Sequence, residues 1–303
     1  MTIKCANVVC AIIMTAGLVS RTDISQAQVQ SMKVQTGGGS PYTLIGTEVW
    51  DVPDPVSHRG YQVFVSLPAS YQKEPSRRYP VLFVTDATYG FPVIGQISRR
   101  LNVERVRIQD FILVGLSYGN GKDGTLSRDR DYTPTPNGPH DTPAGAVLGH
   151  GPAYQAYLRD HVMPFIAQRY RTDPRRSLFL GHSYGGLLGA QILFTDPGMF
   201  SGYILGSPSL WYDKHHIFDM EAAYAARHHD LPAKVYMYVG EYEGKPFNPV
   251  DDLVADNREL EERLKKRKYP NLVLKSEVLN DEDHLSVAPR GFTHGLKYLL
   301  PAR

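Results

Sequence analysis

Cysteine is almost absent from this chain of 303 residues: Cys5 and Cys10 are its two examples. Everything after residue 10 is therefore without disulfides, cysteine-ligated metal centres or thiol chemistry. Charge of one sign is lacking too. With 33 basic and 31 acidic residues the formal net charge is +2, which gives no electrostatic footprint for nucleic acid. No apolar run reaches the roughly 18 residues of a transmembrane helix, so a multi-span membrane protein is excluded. What remains, 42% hydrophobic and 21% charged residues, is the composition of a folded chain with a sizeable core rather than a disordered one.

The N-terminus reads as an export signal. Lys4 precedes a mostly apolar stretch from Val8 to Val19, and Ser25-Gln26-Ala27 puts small residues at the cleavage positions. Arg21 and Asp23 interrupt the pattern, and neither cysteine sits in a lipobox, so no lipid anchor is expected. Residues 1–27 are thus expected to be a signal peptide, and residues 28–303 one catalytic domain, periplasmic or secreted.

Beyond that point strands and helices alternate. Trp50 to His58 reads as a short strand followed by turns, and Tyr61 to Leu67 alternates with period two. Tyr79 to Asp86, Phe111 to Gly115, Ser177 to Leu180, Gly202 to Gly206, Lys234 to Gly240 and Leu272 to Leu279 are apolar runs. Such runs suit strands buried on both faces of a mostly parallel sheet. Helical patterns cover Tyr154 to Ile166 (with Pro164 as an expected kink), Gly185 to Phe194, Val254 to Lys268 and Val287 to Leu300. The alternation predicts an α/β fold with helices flanking one sheet. Gly119 to Gly151, rich in Gly, Pro, Asp and Thr, is expected to be a loop-rich insertion.

Chemistry centres on Gly181-His182-Ser183-Tyr184-Gly185-Gly186. This is a G-x-S-x-G sequence with a strand pattern directly before it and a small-residue helix pattern directly after it. That context places the serine on a tight strand-to-helix turn, as the nucleophile of an α/β hydrolase. A serine hydroxyl needs a base, and the base an orienting acid, in the chain order Ser, acid, His. His284 lies in a polar loop between the last strand and the last helix, where the base belongs. His294 falls inside the final helix, and the pairs His215-His216 and His228-His229 lack the i, i+4 spacing of a metal site. Glu243, three residues after Gly240, is the expected acid, with Glu241, Asp251 and Asp252 as alternatives. For the oxyanion, one donor is expected from the backbone of Tyr184 at the helix N-terminus, the other from Ala87 or Thr88 after the early strand.

These residues resemble a known group. Leu178 to Gly186, Ser207-Pro208-Ser209-Leu210-Trp211-Tyr212, Arg128-Asp129-Arg130-Asp131-Tyr132-Thr133-Pro134 and Asp283-His284-Leu285-Ser286-Val287 are similar to the putative esterase family of α/β hydrolases. Within it the likeness is nearest to the siderophore esterase branch of enterobactin and bacillibactin hydrolases, over roughly residues 45 to 300. The resemblance implies the α/β-hydrolase fold and a serine esterase that needs no metal or other cofactor, acting on a small-molecule ester through an acyl-enzyme. Ser183 and His284 match the family's nucleophile and base. The chain departs from the family where Asp86-Ala87 replaces Asp-Gly and where Leu285 replaces the Gly after the histidine.

With that resemblance in view, Arg128 and Arg130 are expected to bind anionic or catecholate oxygens. Trp211 and Tyr212 are expected to form an aromatic wall for an aryl acyl group. Three other functions fit the same residues: a feruloyl or acetylxylan esterase, an acyltransferase, and a hydrolase fold that binds without catalysing.

Overall fold

Leu82 and Val84 of one strand point to one side of the sheet, Val81 and Phe83 to the other, and all four are buried. This is why the strand sequences read as unbroken apolar runs. The computed structural model describes residues 42–302 apart from 106, 140, 141, 143 and 144. The expected signal segment lies outside the described residues.

Among the described residues eight strands form one sheet: β1 (Thr47–Asp51), β2 (Gln62–Ser66), β3 (Tyr79–Val84), β4 (Ile112–Leu116), β5 (Thr172–His182), β6 (Gly202–Gly206), β7 (Lys234–Gly240) and β8 (Val273–Leu279). Their spatial order is β1-β2-β4-β3-β5-β6-β7-β8. The pairings of β1 with β2 and of β2 with β4 are antiparallel, and all others are parallel.

The helices are α1 (Ala87–Leu101), α2 (Gly124–Tyr132), α3 (Gly151–Tyr157), α4 (Met163–Arg169), α5 (Tyr184–Thr195), α6 (Tyr212–Ala225), α7 (Leu253–Arg267) and α8 (Val287–Leu299). Phe91 and Ile94 of α1 and Val287, Phe292 and Leu296 of α8 pack on one face, against Leu82, Leu180, Ile204 and Tyr238. The other face carries Leu187, Leu188 and Ile192 of α5, Ile217 of α6 and Leu260 of α7, against Phe83, Phe179, Leu205 and Met237. This is the expected α/β-hydrolase architecture, a mostly parallel sheet between two helical layers.

Several local expectations are corrected. The first strand ends at Asp51 instead of beginning near Trp50, because Pro53 and Pro55 cannot donate to a ladder. The pattern around Pro164 is not a simple kink. Helix α3 widens into a π-helical stretch over Leu158–Val162 before α4 resumes, since Pro164 has no N–H to give the preceding turn.

Helices α1 and α6 were not expected. Pro92 and two glycines hide the apolar face of α1. Three left-handed residues, Asp213, Lys214 and His215, interrupt α6 near its start.

The described part of the insertion holds a helix, α2, and hydrogen bonds to distant parts of the chain. Asp123 caps α2 by accepting from Thr125 N at 2.8 Å. Past α2, Gly149 N donates to Thr133 Oγ1 at 2.7 Å and Thr135 Oγ1 to Asp213 Oδ2 at 2.6 Å.

Candidate active site

Five parallel strands deliver their C-terminal ends to one edge of the sheet. β3 leads to Asp86, β5 to Ser183, β6 to Ser207, β7 to Glu243 and β8 to His284. In open α/β sheets this is the edge at which ligands bind.

Ser183 sits between β5 and α5 with φ 61° and ψ −122°, a backbone conformation that L-residues avoid and that active-site turns retain. The turn is tight enough that a β-carbon on Gly181 would come within 2.1 Å of the Gly185 carbonyl oxygen. Ser183 N donates to Gly206 O at 2.9 Å, and Ser183 O accepts from Leu187 N at 3.0 Å. Both bonds lock the bend to β6 and to the first turn of α5.

His284 and Glu243 meet directly: His284 Nδ1 donates to Glu243 Oε2 at 2.5 Å. Glu243 is 2% exposed. Burial pushes its carboxyl upward, but hydrogen bonds from His284, Ser207 and the Gly240 amide outweigh it, and the group is held below the ordinary glutamate value. Its other oxygen accepts from Ser207 Oγ at 2.6 Å and from Gly240 N at 2.7 Å.

Two of the three competing acids are engaged elsewhere. Glu241 accepts from Asp281 N at 3.0 Å, and Asp252 caps α7 through Ala255 N at 2.9 Å. His284 lies beside the serine turn, its ring centroid 4.7 Å from that of His182. Among the described residues no hydrogen bond reaches Ser183 Oγ from His284, a separation common in ligand-free hydrolases.

Tyr184 opens the first turn of α5, and Ala87 and Thr88 open α1 after Asp86, whose φ is 55°. Ala87 is buried and Thr88 exposed. Arg128 bridges the two turns. Its Nε donates to Asp86 Oδ1 at 2.6 Å and its Nη2 to His182 O at 3.4 Å. Tyr118 OH reaches the same Asp86 oxygen at 2.7 Å.

The guanidinium of Arg128 also stands 5.7 Å from the Tyr184 ring. Arg130 has a different partner. It pairs with Asp131 at 2.5 Å, which also holds Tyr61 OH and Ser127 Oγ.

Trp211 is half-buried and 6.2 Å from the Tyr184 ring. Tyr212 lies behind them, fully buried, with its hydroxyl donating to Thr135 O at 2.8 Å. Of this aromatic cluster, Tyr184 and Trp211 are the half-buried members, and Tyr212 is closed off from solvent. Leu285, which stands where the family has glycine after the histidine, is 76% exposed.

Sequence reasoning passed over His182, Asp86 and Ser207. Ser207 entered only within the Ser207–Tyr212 stretch; its place directly after an apolar strand, where β5 and β7 also lead to polar groups, was the signal it carried. No group of three or more His, Cys, Asp or Glu is placed to hold a metal ion among the described residues.

The family model described as Putative esterase matches residues 56–273. The chain belongs to this family. The esterase, a carboxylic ester hydrolase, is 28% identical over 280 residues to the ferri-bacillibactin esterase BesA of Bacillus subtilis (strain 168), covering 88% of this chain and 94% of that one. It is 26% identical over 170 residues to a siderophore enterobactin esterase of Emericella nidulans, covering 52% and 56%. In three dimensions it superposes on the BES protein from Bacillus cereus with a TM-score of 0.73 at 24% identity, over 87% of this chain and 99% of the other. No described helix of the esterase is long and apolar enough to cross a membrane.

Proposed function

We propose that the esterase hydrolyses siderophore-type esters with aryl or catecholate acyl groups, through an acyl-enzyme on Ser183. The observation that carries the assignment of residues is the pairing of His284 Nδ1 with the buried Glu243 beside the strained Ser183 turn. With Nδ1 occupied, Nε2 of His284 is the nitrogen left to take the Ser183 proton as Oγ attacks the ester carbonyl. Glu243 orients the ring and stabilises the imidazolium. The amides of Tyr184 and of Ala87 or Thr88 receive the oxyanion.

The tetrahedral intermediate collapses to the acyl-serine and expels the alcohol, which takes the proton from His284. Water, deprotonated by the same histidine, then attacks the acyl-serine and releases the acid, restoring the Ser183 hydroxyl. The substrate class is supported by the names of the relatives and by the Tyr184–Trp211 surface with the Arg128 guanidinium alongside. Export with cleavage after Ala27 belongs to the same reading, and N-terminal sequencing of the secreted protein tests it.

Ser183→Ala, folded and purified, is expected to lose p-nitrophenyl ester hydrolysis; retained activity would overturn the nucleophile. A panel of bacillibactin, enterobactin, feruloyl and acetylxylan esters tests the substrate class, with the siderophore trilactones expected to be cleaved fastest. Product yields with and without an added alcohol acceptor separate hydrolysis from acyl transfer.

A further inference from the structure

His182, between Gly181 and Ser183, takes no part in the chemistry above, yet its ring is held at both nitrogens. Nε2 lies 2.9 Å from the backbone carbonyl oxygen of His284. A carbonyl oxygen only accepts, so Nε2 carries the proton, and Nδ1 of the neutral ring is an acceptor. The donor to it is the Tyr238 hydroxyl, 3.3 Å away. Desolvation, followed by the neighbouring His284 charge, pushes His182 down to about 3, so the ring stays neutral throughout the neutral range.

Tyr238 is itself fully buried and leaves room for no alternative. A β-carbon on Gly206 would come within 2.1 Å of its hydroxyl, and one on Gly291 within 2.4 Å of its ring. Its ring stacks with that of His182 at 18° between planes.

We propose that His182 is a positioning residue: its Nε2–H holds the main chain of His284 against the serine turn, and Tyr238 fixes the tautomer that does so. The proposal rests on the reading of His284 as the general base. That base stands in a loop after an edge strand, and Glu243 restrains only its side chain. A displacement of about 1 Å between reacting groups costs on the order of 10²-fold in rate, so a second tether on the backbone has a catalytic consequence. Because the tether is a neutral imidazole, the imidazolium formed at His284 meets no second positive charge 4.7 Å away.

Two variants of equal polarity separate this role from packing. In His182→Gln the amide nitrogen reaches the place of Nε2. In His182→Asn the side chain reaches only the place of Nδ1, keeping the Tyr238 contact and losing the tether. Turnover is counted per active site, titrated with a fluorophosphonate. We expect kcat of the Gln variant within about threefold of wild type, and kcat of the Asn variant down about 10- to 100-fold, with KM changed less than about threefold.

Equal kcat per titrated site in the two variants would overturn the proposal. Should neither fold, Tyr238→Phe leaves both histidines in place. A fall in its kcat of about threefold or more supports the tether, and an unchanged kcat overturns it. His284→Ala runs in parallel. Activity surviving there removes the general base itself, whereas an inactive His284→Ala beside equal Gln and Asn variants removes only the role of His182.

Discussion

Ser207 Oγ donates to Glu243 Oε1 at 2.6 Å, while the other oxygen of the same carboxylate holds His284 Nδ1 at 2.5 Å. One buried acid is thus satisfied from two strands, β6 and β8, across the one that carries it. Ser207→Ala leaves that carboxylate short of a donor. A hydrogen bond to a charged group contributes about 1.5–3 kcal/mol, so kcat/KM toward p-nitrophenyl acetate should fall at least about tenfold. An unchanged kcat/KM would mean that Gly240 N alone suffices.

Glu243→Gln keeps the shape of the acid but removes its charge. The loss in kcat should be about 10²- to 10⁴-fold, by analogy with triads in which the acid is replaced by its amide. Glu241→Gln, whose carboxylate is occupied with Asp281 N, should stay within about threefold. Steady-state kinetics on both variants checks the assignment, and an equal loss in the two would undo it.

Arg128→Lys tests the bridge between the two turns. A lysine offers a single point of charge in place of the guanidinium fork, so it cannot hold Asp86 and His182 O together. Activity should fall about tenfold, with melting lowered by a few degrees. Arg130→Lys, placed in the Asp131 cluster, should affect melting more than turnover. Kinetics and calorimetry on the pair distinguish the two outcomes.

Acid should weaken the molecule at a second carboxylate. Burial raises Glu277, but hydrogen bonds from Lys275, Tyr236 and His294 prevail and bring it down to about 2. A carboxyl depressed in this way stabilises the fold in full above its unfolded value of about 4.3. The contribution is lost as pH falls through the folded value. Glu277→Gln should therefore be less stable than wild type at pH 7 by about 1–2 kcal/mol. The gap should narrow steadily below about pH 4.3 in urea titrations. A gap independent of pH would show that the charge of Glu277 contributes nothing.

The strands and the serine turn were legible in the sequence because their signals are local. An apolar run before Gly181 and small residues after Ser183 suffice to specify a strand, a bend and a helix. The loop of His284 was legible from its position after the last strand. Arg128 was singled out as a substrate contact, but its pairing with Asp86 was not foreseen: Asp86 lies 42 residues away, and nothing in the insertion points to it.

Tyr212 and Trp211 look alike as neighbours in sequence. Only the packing of α6, with its left-handed start, buries one and leaves the other half-open. Ser207 and His182 act through backbone and side-chain contacts made across strands, which no spacing within one segment encodes.

The order of the strands also ranks the parts of the proposed catalytic apparatus by resilience. The turn of Ser183 grows from β5, enclosed by β3 and β6, whereas His284 follows β8, which among the described residues pairs with β7 only. Backbone at a sheet margin opens more readily than backbone in its middle. Warming or mild denaturant should disarm this protein before dismantling it, with catalysis fading while the central scaffold still stands.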